Sequence, residues 1–220
     1  MEIMNAIEKR KSVRGYLDKP VSKETISKII ETSLRSPSAV NIQPWDIYVV
    51  TGEVLDNMKN ENEKMFLSGA KPTREEPNTV GVFKERRVEL AKELFKVLDI
   101  QREDQEKRRN WTAQGFRYFN APVALIITTK KNILEGTWGL LGIGSIIQTI
   151  CLAAMEYDLA TCIGEQGVFY QDVLRKHLAI PEDEDVVISI SLGYEDLDFP
   201  ANQLISSREP LHKVTKWFGF

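Results

Sequence analysis

The sequence predicts a single domain of 220 residues, built from helices with a few strands between them. Three observations predict it. Apolar residues recur at helical spacing in several segments, as Ile26, Ile29, Ile30 and Leu34 do. Short runs such as "VALIITT" and "VVISISLGY" have the length and β-branched content of strands. No internal repeat or low-complexity linker divides the chain, so one domain is expected over residues 1–220.

Taken in order, Ser22 is the expected N-cap of the helix that carries Ile26 to Leu34, and Pro37 is its expected stop. "WDIYVV" (45–50) reads as the first strand. Helical patterns follow over 53–66 and 82–98, the second with Leu90, Leu94, Phe95 and Leu98 on one side. Between them "GAKPTREEPNTVG" has the glycine, proline and polar content of a mobile loop or lid. A charged helix is expected over 102–119, ending near Asn120 and Pro122. "VALIITT" (123–129) is a buried strand, "LATCI" (159–163) a third, and a short helix covers about 170–178. In the last strand (186–194) Ile188, Ile190 and Leu192 alternate with polar residues.

"WGLLGIGSIIQTICLAAM" (138–155) is uncharged for eighteen residues, the length at which a membrane span becomes a candidate. Gln148, Ser145, Thr149 and three glycines interrupt it, and a helix apolar on all sides also suits a protein core. Burial is the expectation, in part against another subunit. Its "GIGS" is no dinucleotide fingerprint, because the third glycine and a leading strand are missing.

Composition narrows the function classes. With 29 Lys and Arg against 32 Asp and Glu, the net charge of −3 supplies no basic field for nucleic acid or an anionic membrane. Two cysteines and two histidines, far apart, make no metal-ligand spacing, so no metal is expected. "MEIMNAIEKR" lacks the apolar run of a signal peptide, which points to the cytoplasm, where Cys151 and Cys162 stay reduced.

Three stretches carry candidate chemistry. In "EKRKSVRGY" (8–16), Arg10, Lys11 and Arg14 surround Ser12, as a solvated charge run would, or as an anion site would. "SPSAVNIQPW" (36–45) suits a tight turn, but Asn41 and Gln43 each offer a donor and an acceptor, which the pyrimidine edge of a flavin requires. "ATCIGEQGVF" (160–169) ends a strand in a glycine turn that could also present a backbone N–H to a flavin's N5.

The order of "RKSVRGY", "SPSAVNIQPW", "IIQTICLAAMEYDLATC" and "SREPLHKVTKWFGF" resembles the FMN-dependent nitroreductase family, the last segment its nitrobenzoate-reductase-like branch. The resemblance implies an α+β nitroreductase-like fold, with a mixed, mainly antiparallel sheet flanked by helices, in an intertwined homodimer with FMN at the interface. It implies that Arg10, Lys11, Ser12, Arg14 and Arg208 hold the FMN phosphate. Pro37, Ser38, Ala39, Val40 and Asn41 would lie along the ring, supported by Gln43. Cys162, Ile163, Gly164 and Glu165 would face its other edge, with the Gly164 backbone at N5. Gln148 is carried as a site residue although Thr149 stands where the family commonly has asparagine. Cys162 is expected to be a small apolar wall rather than a nucleophile, and Trp138 and Phe169 either pocket walls or plain core.

The implied activity is hydride transfer from NADH or NADPH through flavin N5 to nitroaromatics or quinones, in a ping-pong cycle without a protein nucleophile. A reductive dehalogenase or a flavin reductase of the same fold is an alternative, as is a non-catalytic flavin-binding regulatory protein.

Overall fold

The structure is a computed structural model that describes residues 2–74 and 78–220. Its centre is a four-stranded sheet of β1 (Asp46–Thr51), β2 (Val123–Lys130), β3 (Ala160–Gly164) and β4 (Glu184–Gly193), in the order β1-β2-β4-β3. Every pairing in it is antiparallel. The central strands β2 and β4 are covered on both faces, which is why they read as nearly continuous apolar runs.

On one face Leu125, Ile127, Ile190 and Leu192 meet Ile26 and Ile29 of α2 (Lys23–Ser33) and Ile143, Ile146 and Ile150 of α6 (Thr137–Met155). On the other face Ala124, Ile126 and Val186 meet Leu55 and Met58 of α3 (Gly52–Leu67), Phe116 of α5 (Gln105–Phe116) and Leu174 of α7 (Gln171–Leu178). Each fully buried isoleucine or leucine in these layers contributes roughly 1.5–3 kcal/mol of transfer free energy. Helices α1 (Ile3–Lys9), α4 (Gly81–Val97) and α8 (Leu211–Val214) complete the α-helices of the described residues, and short 3-10 turns join the elements.

The elements fall where the periodicity places them, with informative exceptions. The sequence reading assigned no element to α1. Ser22 caps α2 as expected, its Oγ accepting the Thr25 N–H at 3.1 Å. The helix stops at Ser33, well before Pro37, because side-chain hydroxyls take its last carbonyls: Ser33 Oγ donates to Ile29 O at 2.7 Å and Ser36 Oγ to Ser33 O at 2.7 Å. The charged helix ends at Phe116 rather than 119, since Tyr118, Phe119 and Asn120 turn into the left-handed region at φ 53°, 53° and 56°. That turn lets Tyr118 bury its ring and donate its hydroxyl to Gly167 O at 2.8 Å. A side chain at Gly167 would strike the Tyr118 ring, with a Cβ only 2.3 Å from Cε1.

Two expectations need correction. Ser189 and Ser191 of β4, the polar partners in the expected alternation, are buried as well, because helices cover that face too. The stretch 69–81, expected as a mobile loop or lid, is anchored at its start. Thr73 N–H donates to Phe169 O at 2.9 Å, and the Arg74 guanidinium donates to Val187 O at 2.6 Å, a β4 carbonyl. Residues 75–77 of that stretch lie outside the described residues. Helix α6 is half covered within the chain. Gly142, Ile143, Ile146 and Ile150 face the sheet, while Trp138 and Leu141 are 61% and 69% exposed on the other side. Among the described residues it is the one helix long and apolar enough to cross a membrane.

Candidate functional site

The basic segment 10–16 lies along β3. Val13 donates its N–H to Thr161 O at 3.0 Å and is buried, as is Gly15, while Ser12 and Arg14 between them stay partly exposed. This alternation anchors the segment through its apolar residues and leaves its polar ones available. Phe199 rests directly on Gly15, where a Cβ would come within 2.2 Å of the ring. Tyr16 closes the segment by bridging to Glu195 and donating its hydroxyl to Val13 O at 2.8 Å.

The carboxyl-terminal stretch arrives over this segment. Arg10, Lys11, Ser12 and Arg14 share a cavity of about 90 Å³ with Arg208 and Ser206, and Leu90 and Leu204 close its walls. Arg208 is oriented by its own loop, Nη1 donating to Ser206 Oγ at 2.8 Å and Ser207 O at 2.8 Å. Among the described residues, none of the three arginines is in an ion pair with a carboxylate. Three uncompensated guanidinium groups beside a hydroxyl, in so small a space, match what a phosphate asks of a protein. Lys11 differs from the other cations. Its ammonium is 2.8 Å from Glu195 Oε1 and donates to Asn202 O at 2.6 Å, so its charge is largely committed within the chain.

Beside this cavity lies the end of β3. Cys162 is buried, and burial pushes its thiol above the usual range, against the opposing pull of the Arg14 cation and a hydrogen bond from Ser12. The thiol is therefore kept in its neutral form. Gly164 accepts the Ser189 hydroxyl at 2.6 Å through its carbonyl, and a Cβ there would meet only Ser189 Oγ, at 3.7 Å. Space over the Gly164 α-carbon is thus open to a flat group. Ile163 is 39% exposed and Glu165 half-buried at the same turn.

The loop Pro37–Asn41 forms a separate group. Ser38 Oγ accepts the Gln43 N–H at 2.9 Å, and Gln43 Nε2 leans on Asn41 O at 3.4 Å, so Gln43 supports the turn as expected. Val40, Asn41 and Gln43 adopt φ of 43°, 60° and 46°. For a β-branched residue such as Val40 this conformation is strained by about 1–3 kcal/mol, and the side chain it presents is 83% exposed. Helix α6 holds the loop. Ser36 Oγ bonds Thr149 Oγ1 at 2.8 Å, and a Cβ on Gly142 would sit 2.8 Å from Pro44 Cγ. Gln148 is on this helix, on its exposed side.

The expected site residues therefore gather in two places on one chain. Arg10, Lys11, Ser12, Arg14 and Arg208 meet beside Cys162–Glu165 at the β3 edge; Pro37–Asn41 and Gln148 associate through α6 and lead into β1, the opposite edge. Those two strands are three spacings apart, about 14 Å. Among the described residues no hydrogen bond joins the two groups. Of the two aromatic wall candidates, Phe169 is plain core, buried edge-on against Phe116 with centroids 6.0 Å apart, and Trp138 is exposed. A larger cavity, about 720 Å³, opens between α4 and the start of α5 around Phe95, Ile100 and Arg108, and contains none of the expected site residues.

Sequence reasoning missed Asn202, Glu195, Ser206, Leu90 and Leu204. Asn202 is wholly buried and central to the geometry: Oδ1 accepts the Arg14 N–H at 2.7 Å, and Nδ2 donates to Gly15 O and Asp196 O, both at 2.8 Å. Nothing local in "FPANQL" marks it, since a carboxamide after a proline reads as an ordinary turn.

Comparison with known proteins gives a consistent picture. The model of the nitroreductase family matches residues 7–194. A 4-nitrobenzoate reductase of Nocardioides sp. (strain LMS-CY) is 32% identical over 97% of this chain and 89% of its own length. A nitrobenzene nitroreductase of Ectopseudomonas oleovorans is likewise 32% identical, over 97% of this chain and 95% of its own. The solved FMN and NADPH-dependent nitroreductase NfnB from sphigopyxis sp. strain HMH superposes with a TM-score of 0.94 at 28% identity, covering 100% of both chains.

Proposed function

Because this chain belongs to the nitroreductase family, we propose that it is an FMN-dependent oxidoreductase that takes electrons from NAD(P)H and reduces nitroaromatics, with quinones as a second acceptor class. The observation that carries the reading is the small cavity at the β3 edge, where three arginines without carboxylate partners and Ser12 converge from both ends of the chain. When bound, FMN supplies the two-electron carrier that links the nicotinamide donor to the acceptor.

The chain's own residues bind and orient. Arg10, Arg14 and Arg208 neutralise the phosphate, and Ser12 adds a hydroxyl donor. The Gly164 backbone, with open space beside it, receives the ring edge. The Cys162 thiol, held protonated by burial, lines that edge without offering a competing nucleophile. Pro37–Asn41 is assigned to the same ring, but from a second copy of the chain. The separation of the two groups within one chain supports a homodimer, as do the exposed apolar side of α6 and the exposed Trp217, Phe218 and Phe220 of the tail. Two buried free cysteines suit the cytoplasm, where we place the enzyme.

The test is anaerobic. NADH or NADPH should bleach the yellow protein, and 4-nitrobenzoate added afterwards should restore its colour without oxygen, with parallel double-reciprocal plots in the steady state. A protein that holds FMN and is not bleached by either nucleotide would refute the enzyme reading. Bleaching with no recovery would remove nitroaromatics as acceptors and favour a dehalogenase or flavin reductase of the same fold.

A further inference from the structure

We propose that Asn202 is the positioning residue of the phosphate site, a clamp that holds segments 10–14 and 204–208 in register; this rests on reading the cavity at the β3 edge as the FMN phosphate site. The polar lining of the cavity comes from two segments far apart in sequence, 10–14 and 204–208, with Leu90 of α4 beside them. Among the described residues, every hydrogen bond between segment 10–16 and segment 199–208 runs through Asn202. Its Oδ1 accepts the Arg14 N–H, its Nδ2 donates to Gly15 O, and its backbone carbonyl accepts the Lys11 ammonium at 2.6 Å. The remaining Nδ2 hydrogen goes to Asp196 O, which fastens the turn to the end of the sheet. Side chain and carbonyl together thus use four contacts, with the residue fully buried.

This arrangement separates charge from placement. Arg14 brings its cation on its side chain and is located by its backbone N–H, and that N–H is what Asn202 holds. Lys11, with its ammonium drawn to Asn202 O and Glu195, reinforces the clamp rather than the anion. Arg208 is six residues beyond Asn202 on the same segment and depends on that segment's position to reach the cavity. Loss of the Asn202 side chain leaves all three arginines in place chemically while releasing the geometry that makes them converge.

The experiment compares FMN with riboflavin, which carries the same ring and no phosphate. Apoprotein of the wild type and of Asn202→Ala is titrated with each flavin, following flavin fluorescence. N202A should bind FMN about tenfold or more weakly, as expected when charge-assisted contacts lose their alignment, with riboflavin affinity unchanged. Retained riboflavin binding also reports that the variant is folded; should N202A fail to fold, N202S is read in the same way. An equal loss for both flavins would make Asn202 a general structural residue, and unchanged FMN binding would remove its role altogether; either overturns the proposal. A wild type that does not prefer FMN to riboflavin overturns the phosphate assignment itself, and the clamp with it.

Discussion

Arg14→Ala isolates the charge that Asn202→Ala leaves in place. The Arg14 backbone is held independently of its side chain, through the 2.7 Å bond from its N–H to Asn202 Oδ1. The guanidinium itself makes one long hydrogen bond, Nη1 to Ser12 O at 3.4 Å, and no ion pair among the described residues. Truncation therefore orphans no carboxylate, and the melting temperature should barely move, as for substitutions within about 0.5 kcal/mol. The loss falls on the ligand. A unit charge about 4 Å from the phosphate is worth about 4 kcal/mol at an effective dielectric of about 20. Desolvation and the two remaining arginines reduce this to the 1.5–3 kcal/mol or so typical of a charge-assisted contact, about ten- to a hundredfold in affinity. The assay is fluorescence titration of apoprotein with FMN at low and high salt. R14A should bind weakly at both and show a shallower salt dependence, because one cation fewer is available to be screened. R14A that binds FMN as tightly as the wild type, at either ionic strength, would refute the assignment of these arginines to the phosphate.

Two further outcomes follow from other parts of the molecule. Glu184 is buried, where desolvation pushes its pKa up, yet hydrogen bonds from Thr128 Oγ1 at 2.7 Å, Lys130 Nζ at 3.1 Å and the Tyr48 hydroxyl at 3.1 Å outweigh this and leave it below the ordinary carboxylate range. Its folded pKa lies below its unfolded one, so its stabilisation is present above about pH 4.3 and is lost as pH falls through the depressed value. Glu184→Gln should therefore flatten the acid limb of melting temperature against pH; parallel curves for variant and wild type would contradict this. For the assembly, light scattering should report about twice the 25.1 kDa of one chain, and Leu141→Arg, on the exposed side of α6, should lower both dimer mass and FMN uptake. A wild type that is monomeric at micromolar concentration with FMN bound would exclude the shared site.

Periodicity located the buried strands and most helices because a residue covered on one or both faces must be apolar, and that requirement is written locally. It could not see that Ser189 and Ser191 are buried, since a strand covered on both faces tolerates small hydroxyls that find partners, as Ser189 does at Gly164 O. Nor could it see the end of α5, where Tyr118, Phe119 and Asn120 enter the left-handed region for the sake of a distant contact, the Tyr118 hydroxyl with Gly167 O. Arg74 shows the same limit. Its position in a glycine- and proline-containing stretch reads as mobility, whereas its guanidinium is spent on the carbonyls of Val186 and Val187.

The candidate site divides along similar lines. Arg10 and Arg14 stood out by side-chain type as candidates for an anion, and Arg208 entered through the resemblance. Their convergence was expected from the resemblance, but what holds them together was not legible, because it depends on backbone groups that every residue possesses: the Arg14 N–H, the Gly15 carbonyl and the Asn202 carbonyl. Lys11 was grouped with the arginines by charge and by the resemblance, and its ion pair with Glu195, 184 positions away in sequence, was not legible from either. The loop Pro37–Asn41 was singled out by the resemblance, and its proposed service to the β3 edge of a second copy is not something one chain displays. It leads into β1, with two strands between it and that edge, and packs on the helix whose other side is apolar and uncovered. A second copy that covers this side of α6 would supply the loop to the arginine cluster and bury the apolar surface in the same step, so assembly and cofactor binding should be thermodynamically linked: FMN should tighten the dimer by the same factor that dimerisation tightens FMN.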